Sequence, residues 1–284
     1  MSKPVNSLIV ISDIHAGCKL GLCPSDGVRL DDGGKYLPSK QQIEVWSYWQ
    51  EFWEDWVPMV TKGEPFSVVN NGDSLDGVHH NAVTQISNNL TDQSRIAEKI
   101  LKPVVEKCEG RYYHIRGTEA HVGKSAQYEE KLAEDVGAKP SDTGQYARWD
   151  MWYRLGESRA LCHFSHHIGG TGSSSYESTG VYKEMVEAFN EAGRWHDEPP
   201  DVVARAHRHR QFETRIATKK GYGISLVTPG WQLRTPFTFR LASGRAGTPQ
   251  FGGYIIRCGD SDEIFTRFKV WKIERSREVE SDEF

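Results

Sequence analysis

Five short apolar runs, each ending in a polar cluster that carries Asp, His or both, constrain this 284-residue chain more than any other feature. The runs are residues 5–11, 65–69, 111–115, 159–162 and 201–204. The clusters that follow are Ser12-Asp13-Ile14-His15, Asn71-Gly72-Asp73, Arg116-Gly117-Thr118-Glu119-Ala120-His121, His163-Phe164-Ser165-His166-His167 and Ala206-His207-Arg208-His209. Each run is rich in β-branched or aromatic residues and bounded by turn residues, as a buried strand is. Strands with such endings converge on one crevice, the place where α/β sheets bind ligands. Carboxylates and imidazoles gathered there suit divalent metals, and two such ions are one route to phosphate-ester hydrolysis.

The order D-x-H, G-D, a Gly-led third motif, a lone strand-end His and then H-x-H resembles the calcineurin-like metallophosphoesterases. Here these are Asp13/His15, Gly72-Asp73, Gly117-Thr118, His166 and His207/His209, and the resemblance spans roughly residues 5–210. It implies an α/β fold, a layered β-sheet sandwich flanked by helices, and the residues after 220 themselves read as antiparallel strands at the C-terminal end. It also implies two divalent ions, manganese first, with zinc, iron, cobalt or nickel permitted by the His/Asp ligands. In that family one Asp bridges both ions, which by motif is Asp73. Asp13, His15 and His209 match the other ligands of the first ion, and His166 and His207 those of the second. A hydroxide held by both ions then attacks phosphorus in line. The third motif departs from the family, which usually has Gly-Asn-His followed by Asp or Glu. Thr118 stands at the Asn position and Glu119 at the His position; either is a candidate ligand of the second ion. His121, three residues past Thr118, is the candidate proton donor to the leaving group.

The residues themselves also bear on side-chain direction. Strand residues two apart point the same way, so D-x-H and H-x-H are expected to present both side chains on one face. By the same alternation His163 faces away from His166, as a core histidine, and His167 is an alternative ligand. His79 and His80 follow Asp73 closely and read as surface loop residues.

Composition narrows the setting. Hydrophobic content of 37% and charged content of 26% are those of a soluble globular protein. No apolar stretch reaches the ~20 residues that span a bilayer, and residues 1–6 carry no secretion-signal pattern. Five scattered cysteines read as reduced thiols in a cytoplasmic protein. The net charge of −4 conceals a basic segment: between Asp201 and Arg245 nine basic residues face two acidic ones, a charge of +7 that leaves −11 elsewhere. Such a segment beside His207 and His209 suits an anionic substrate, with Arg205, Arg208 and Arg210 as candidate phosphate contacts. The alternative is a solvated hairpin face.

One domain is expected over 1–284, since Asp13 and His209 have to lie side by side. Within it 1–210 carries the motifs, 221–273 the C-terminal strands, and the charged tail from Glu274 is expected to fray. Ser39-x-x-Gln42 is a capping box opening a helix with a Trp stripe that ends at Lys62-Gly63. Further helices are expected over 91–108, about 125–136 and about 178–192, and strands over 221–228, 251–258 and 264–273. The Gly/Ser run 169–175 reads as a rim loop, not a phosphate-cradling P-loop, because no Gly-Lys-Ser/Thr follows. The function expected is metal-dependent phosphate-ester hydrolysis, as a phosphodiesterase on a nucleotide or nucleic-acid-like substrate. The alternatives are a phosphomonoesterase or protein phosphatase and, from another class, a non-catalytic scaffold with a metal-depleted site.

Overall fold

The computed structural model describes residues 5–79, 81–157, 160–169, 174–219, 221–241, 248–259 and 263–273. The expected frayed tail, the middle of the Gly/Ser run (170–173) and His80 lie outside the described residues. The chain is mixed α/β. Its strands are β1 (Ser7–Ile11), β2 (Val28–Arg29), β3 (Lys35–Tyr36), β4 (Ser67–Asn70), β5 (Tyr112–Ile115), β6 (Ala147–Arg148), β7 (Met151–Leu155), β8 (Ala160–Phe164), β9 (Val202–Arg205), β10 (Phe212–Thr218), β11 (Gly221–Val227), β12 (Phe251–Cys258) and β13 (Ile264–Trp271). Its helices are α1 (Lys40–Glu51), α2 (Val57–Thr61), α3 (Leu90–Lys107), α4 (Glu119–Val122), α5 (Gln127–Val136), α6 (Glu177–Trp195) and α7 (Pro236–Leu241).

The strands form a six-stranded sheet in the order β13-β12-β1-β4-β5-β6, a five-stranded sheet in the order β10-β11-β9-β8-β7, and the small β2-β3 ribbon. In the first sheet β1, β4, β5 and β6 are parallel, with Leu8 opposite Ser67 and Ile11 opposite Asn70. In the second, β8, β9 and β11 are parallel. Parallel pairing puts the carboxyl ends of β1, β4 and β5 at one end of the first sheet, and those of β8 and β9 at one end of the second. Every motif in the sequence leaves from one of these ends.

Strand alternation distributes the core. Ile9, Ile11, Val68 and Tyr112 share a cluster with the helical residues Val45, Trp49, Phe52, Ile96, Ile100 and Leu132. Their neighbours Leu8, Val10, Val69 and Ile115 share a different cluster with Leu155, Cys162, Phe164, Val202, Ala204, Ile224 and Leu226 of the second sheet. Period-two alternation lets one strand serve both clusters.

The capping box at Ser39 forms as the sequence predicts: the Ser39 hydroxyl accepts the Gln42 N–H, and the Gln42 side chain accepts the Ser39 N–H. The stripe differs in detail. Residues Phe52–Trp56 make a π-turn between α1 and α2, with the Val57 N–H donating to the Phe52 carbonyl. Pro58 follows at the start of α2, where its missing N–H breaks the ordinary ladder. Phe52 is buried beside Trp49, Trp53 and Trp56, whereas Ile43, at the start of the expected stripe, is exposed.

Five strands escape sequence reasoning: β2, β3, β6, β7 and β10. The strand expected over 221–228 is also not a neighbour of the two that follow it. It pairs in parallel with β9, in the other sheet from the antiparallel β12-β13 pair. The hairpin reading of the basic segment holds for β10-β11, where Arg215 is exposed. All five cysteines are free and buried. Among the described residues no helix is long and apolar enough to cross a membrane.

Phe52 is fully buried, stacked on Trp56 at 4.9 Å and edge-on to Trp53 and Trp231. Phe52→Ala is therefore expected to destabilise the fold by about 3–5 kcal/mol, read as a shift of the urea midpoint at unchanged slope. A loss under about 1 kcal/mol would show that this aromatic cluster is not part of the rigid core.

Candidate metal centre

The candidate ligands sit just past the strand ends, in turns. Asp13, His15, Asp73, His207 and His209 all have positive φ, between 44° and 72°. For residues other than glycine this left-handed region costs about 1–3 kcal/mol each and persists only where the surroundings impose it. Backbone hydrogen bonds do so here. Asp13 N–H donates to the Gly72 carbonyl, His15 N–H to the Asp73 carbonyl and Ala16 N–H to the Ser74 carbonyl, at 2.9–3.1 Å. The Trp231 N–H holds the Asp13 carbonyl at 2.8 Å, and the His207 N–H reaches Asp13 Oδ2 at 3.3 Å. Strand alternation is thus not what aims the D-x-H and H-x-H pairs; paired left-handed turns are.

The side chains converge in two groups, Asp13/His15/His209 and Asp73/His166/His207, in each of which the ligand atoms lie within 4.8 Å of one another. Asp13 Oδ1 is 3.2 Å from His209 Nε2, 3.8 Å from His166 Nε2 and 3.9 Å from His15 Nε2. Asp73 Oδ2 is 2.9 Å from His166 Nε2 and 4.0 Å from His207 Nδ1. Asp13 therefore touches both groups through His166. The tautomer of His166 follows from its other nitrogen, since Nδ1–H donates to the Asn71 carbonyl at 2.6 Å. That leaves Nε2 directed at the carboxylates.

Two observations test whether these residues fit a cation. Asp13 Oδ1 and His166 Nε2 are buried and have no hydrogen bond of good geometry among the described residues, although His166 Nε2 lies 2.9 Å from Asp73 Oδ2 and Asp13 Oδ1 3.2 Å from His209 Nε2. Buried polar atoms are rarely left so, and an ion accounts for them. The donor set, carboxylate oxygen with imidazole nitrogen, also suits borderline divalent metals. The residues fit.

Electrostatics agree. Burial opposes charge on Asp13, but His209 and His166 outweigh it and hold the carboxyl below its ordinary range. Burial likewise opposes charge on Asp73, and His166 and His121 overcome it, holding that group well below. Burial and then His121 push His15 down to about 4, so its lone pair is free at neutral pH. His166 goes the other way: burial disfavours its proton, yet Asp73 and Asp13 raise it to about 10.

The remaining sequence candidates divide. Thr118 is at the site, but its N–H donates to Asp73 Oδ1 at 2.7 Å and its hydroxyl to both Asp73 oxygens at 3.2 Å, so it holds the carboxylate. Glu119 is exposed on α4 and belongs to neither group. His121 does reach back: Nε2 is 3.9 Å from Asp73 Oδ2, and Nδ1 donates to the Asp76 carbonyl at 2.7 Å. The three arginines are engaged elsewhere. Arg205 is buried against Glu184 of α6 at 2.8 Å, Arg208 donates to the Gly169 carbonyl, and Arg210 meets Glu177 at 2.8 Å. His163 stacks on Trp152, away from the cluster, and His167 lies 5.1 Å from the His207 ring. His79 is not a plain surface residue; its ring is 4.5 Å from that of His121 and its Nε2 is 3.8 Å from Asp76 Oδ2.

Sequence reasoning missed Asp76. It is almost fully buried, 3.5 Å from His15 Nδ1, and accepts from Gln85 and Gln232 at 2.9 and 3.2 Å. A carboxylate behind a ligating imidazole fixes its orientation. It also forms a third possible group with His15 and His121. The signal was a second carboxylate three residues after Asp73.

No protein-family model matches the chain, and no curated protein is similar to it. Among solved structures it is similar to Vps29 from Chaetomium thermophilum, with 11% identity over 95% of this chain and 97% of that one and a TM-score of 0.37. A hypothetical protein from Thermus thermophilus gives 12% identity, 94% and 99% coverage and a TM-score of 0.39. A 5'-nucleotidase from Candida albicans gives 7% identity and a TM-score of 0.33, the match covering 94% of this chain and 52% of that one. TM-scores this low place no constraint on fold or function.

Because His166 titrates near 10, the metal-free chain holds a proton there at pH 7. A divalent ion has to displace it, so binding should release protons and tighten as pH rises. Calorimetry of Mn²⁺ binding at pH 7 in buffers of differing ionisation enthalpy measures this. A binding heat independent of the buffer would contradict the assignment of His166.

Proposed function

We propose that the chain is a metal-dependent hydrolase of phosphate esters, with Asp13, His15 and His209 holding one divalent ion, His166 and His207 a second, and Asp73 serving both. The observation that carries this reading is the convergence of carboxylates and imidazoles from several strand ends, with Asp13 Oδ1 and His166 Nε2 buried 3.8 Å apart at the meeting point of the two groups. A two-sheet core faced by helices accords with the layered sandwich of the metallophosphoesterases. Manganese is the ion we favour, and a phosphodiester of a nucleotide or nucleic acid the substrate. The five free, buried thiols accord with a reducing, cytoplasmic setting.

Ions bound there would supply Lewis acidity toward the phosphoryl oxygens and lower the pKa of an attacking water. The chain's own residues do the rest. Asp73, clamped by the Thr118 N–H and hydroxyl, is fixed as an acceptor facing His166. Asp76 behind His15 and the Asn71 carbonyl behind His166 set which imidazole nitrogen faces inward. His121, with Nδ1–H anchored on the Asp76 carbonyl, keeps Nε2 toward the cluster as the proton donor to the departing oxygen.

Two measurements test this. Asp73→Asn should reduce metal-dependent hydrolysis of bis(p-nitrophenyl) phosphate to background, because a neutral amide does not hold two cations. Retention of most activity at saturating Mn²⁺ would refute the two-ion assignment. Purified wild-type chain without bound metal after manganese loading would favour the scaffold reading.

A proton donor matters most for a basic leaving group. His121→Ala should therefore slow an alkyl or nucleoside ester by ~10²-fold or more and leave a p-nitrophenyl ester nearly unchanged. Equal losses on both would make His121 a ligand in the group with His15 and Asp76 instead.

A further inference from the structure

Behind the centre lies a second polar cluster, and it touches no candidate ligand side chain. Asn70, Ser74, Tyr112, His114 and Glu129 are all fully buried. Glu129 projects from α5 between the two loops that carry the second and third motifs. Its Oε1 accepts the Ser74 N–H at 3.1 Å and its Oε2 the Gly117 N–H at 2.6 Å. His114 Nε2 is 3.2 Å from the same Oε1. Three donors thus converge on two oxygens, an arrangement that an acceptor-only carboxylate satisfies and a carboxamide does not.

The proton positions can be assigned from the network. The Asn70 amide donates to Ser74 Oγ at 2.8 Å and to Tyr112 Oη at 3.0 Å. Burial raises Tyr112, so its phenol keeps its proton and donates to His114 Nδ1 at 3.2 Å. His114 Nε2 then bears a hydrogen that lies between Glu129 Oε1 and Ser74 Oγ, each 3.2 Å away. The chain of bonds runs from β4 through β5 to α5.

What the clamp fixes is the distance between Asp73 and Thr118. Each lies one residue from an N–H that Glu129 holds, and the loops are so close that a Cβ on Gly117 would overlap Asp73 Oδ1 and its backbone nitrogen. We propose that Glu129 is a positioning residue of the site: by bridging the Ser74 and Gly117 amides it holds the Asp73 turn against Thr118 and so presets the carboxylate for metal. This rests on the function proposed above, yet the clamp itself can be read without it.

The test uses the full-length Glu129→Gln chain and two readouts. Hydrogen exchange at the Ser74 and Gly117 amides should accelerate at least ~10-fold over wild type, which needs no metal. Mn²⁺ affinity, titrated into the metal-free chain, should fall ~10–100-fold, in the range typical of groups that support metal ligands, with kcat falling and KM for the ester nearly unchanged. Wild-type exchange at both amides would overturn the clamp. Accelerated exchange with unchanged Mn²⁺ affinity would overturn its role in presetting Asp73. If wild type binds no Mn²⁺ while exchange still accelerates, the metal reading fails and the clamp survives as structure alone, which also overturns the positioning role. Should Glu129→Gln not fold, Tyr112→Phe removes only the phenol behind His114. It should shift both readouts in the same direction and by less, and no shift in either would overturn the proposal.

Discussion

Contact between two exit turns, one after β4 and one after β5, sets the geometry of everything around it. Gly117 presses on Asp73 where no larger residue fits, and Gly72, at φ 92°, leaves room for His166, whose Nδ1 would be 2.6 Å from any Cβ there. Those two glycines allow the Asp73 carboxylate to be enclosed from three sides by Thr118, His166 and His207. Parallel pairing of β1 with β4 then lays the Asp13–Ala16 segment along Gly72–Ser74 by three backbone hydrogen bonds. The strain of five left-handed residues is spread over these contacts, each turn being held by the next.

Such an enclosure is electrostatically unstable unless charge is matched. Asp13, Asp73 and Asp76 are all buried, and an unpaired buried carboxylate costs several kcal/mol. The imidazoles offset this. The three carboxyls are held below their ordinary range, so in the metal-free chain their stabilisation is present above that range and lost as pH falls through their folded values. His166 has the opposite sign: raised to about 10, its contribution is full below its ordinary value of 6.5 and lost as pH rises through 10. A divalent ion relieves both conditions at once, since it neutralises the carboxylates without requiring the proton. That is a physical reason for one cluster to tolerate so many like-charged side chains.

The sequence makes the strand ends legible because apolar runs and polar stops are local patterns. Asp13, His15, Asp73, His166, His207 and His209 could be singled out without knowing how the strands pair. The mistakes arise where pairing decides. Met151–Leu155 alternates too weakly to announce β7, which exists because β8 offers it an antiparallel edge. Phe212–Thr218 looks like a charged loop until Gly221–Val227 folds back on it. Asp76 and Glu129 resemble ordinary turn and helix residues in one dimension, and their burial comes from loops and helices distant in sequence. The D-x-H spacing names two residues whose side chains do lie close, but left-handed turns and not strand alternation bring the pair together.

Charge counted along the chain leaves open where each cation sits. The +7 segment suggested a field for an anionic substrate, but a summed charge says nothing about where each cation is spent. Arg205 faces Glu184, Arg210 faces Glu177, Arg215 faces Glu213, and Arg208 is turned to backbone carbonyls. Glu184 and Glu177 lie outside the segment and Glu213 is one of its own two acids, so these pairs bring two outside carboxylates against the surplus. Cations tied to helix α6 in this way secure the β9 exit turn that carries His207 and His209.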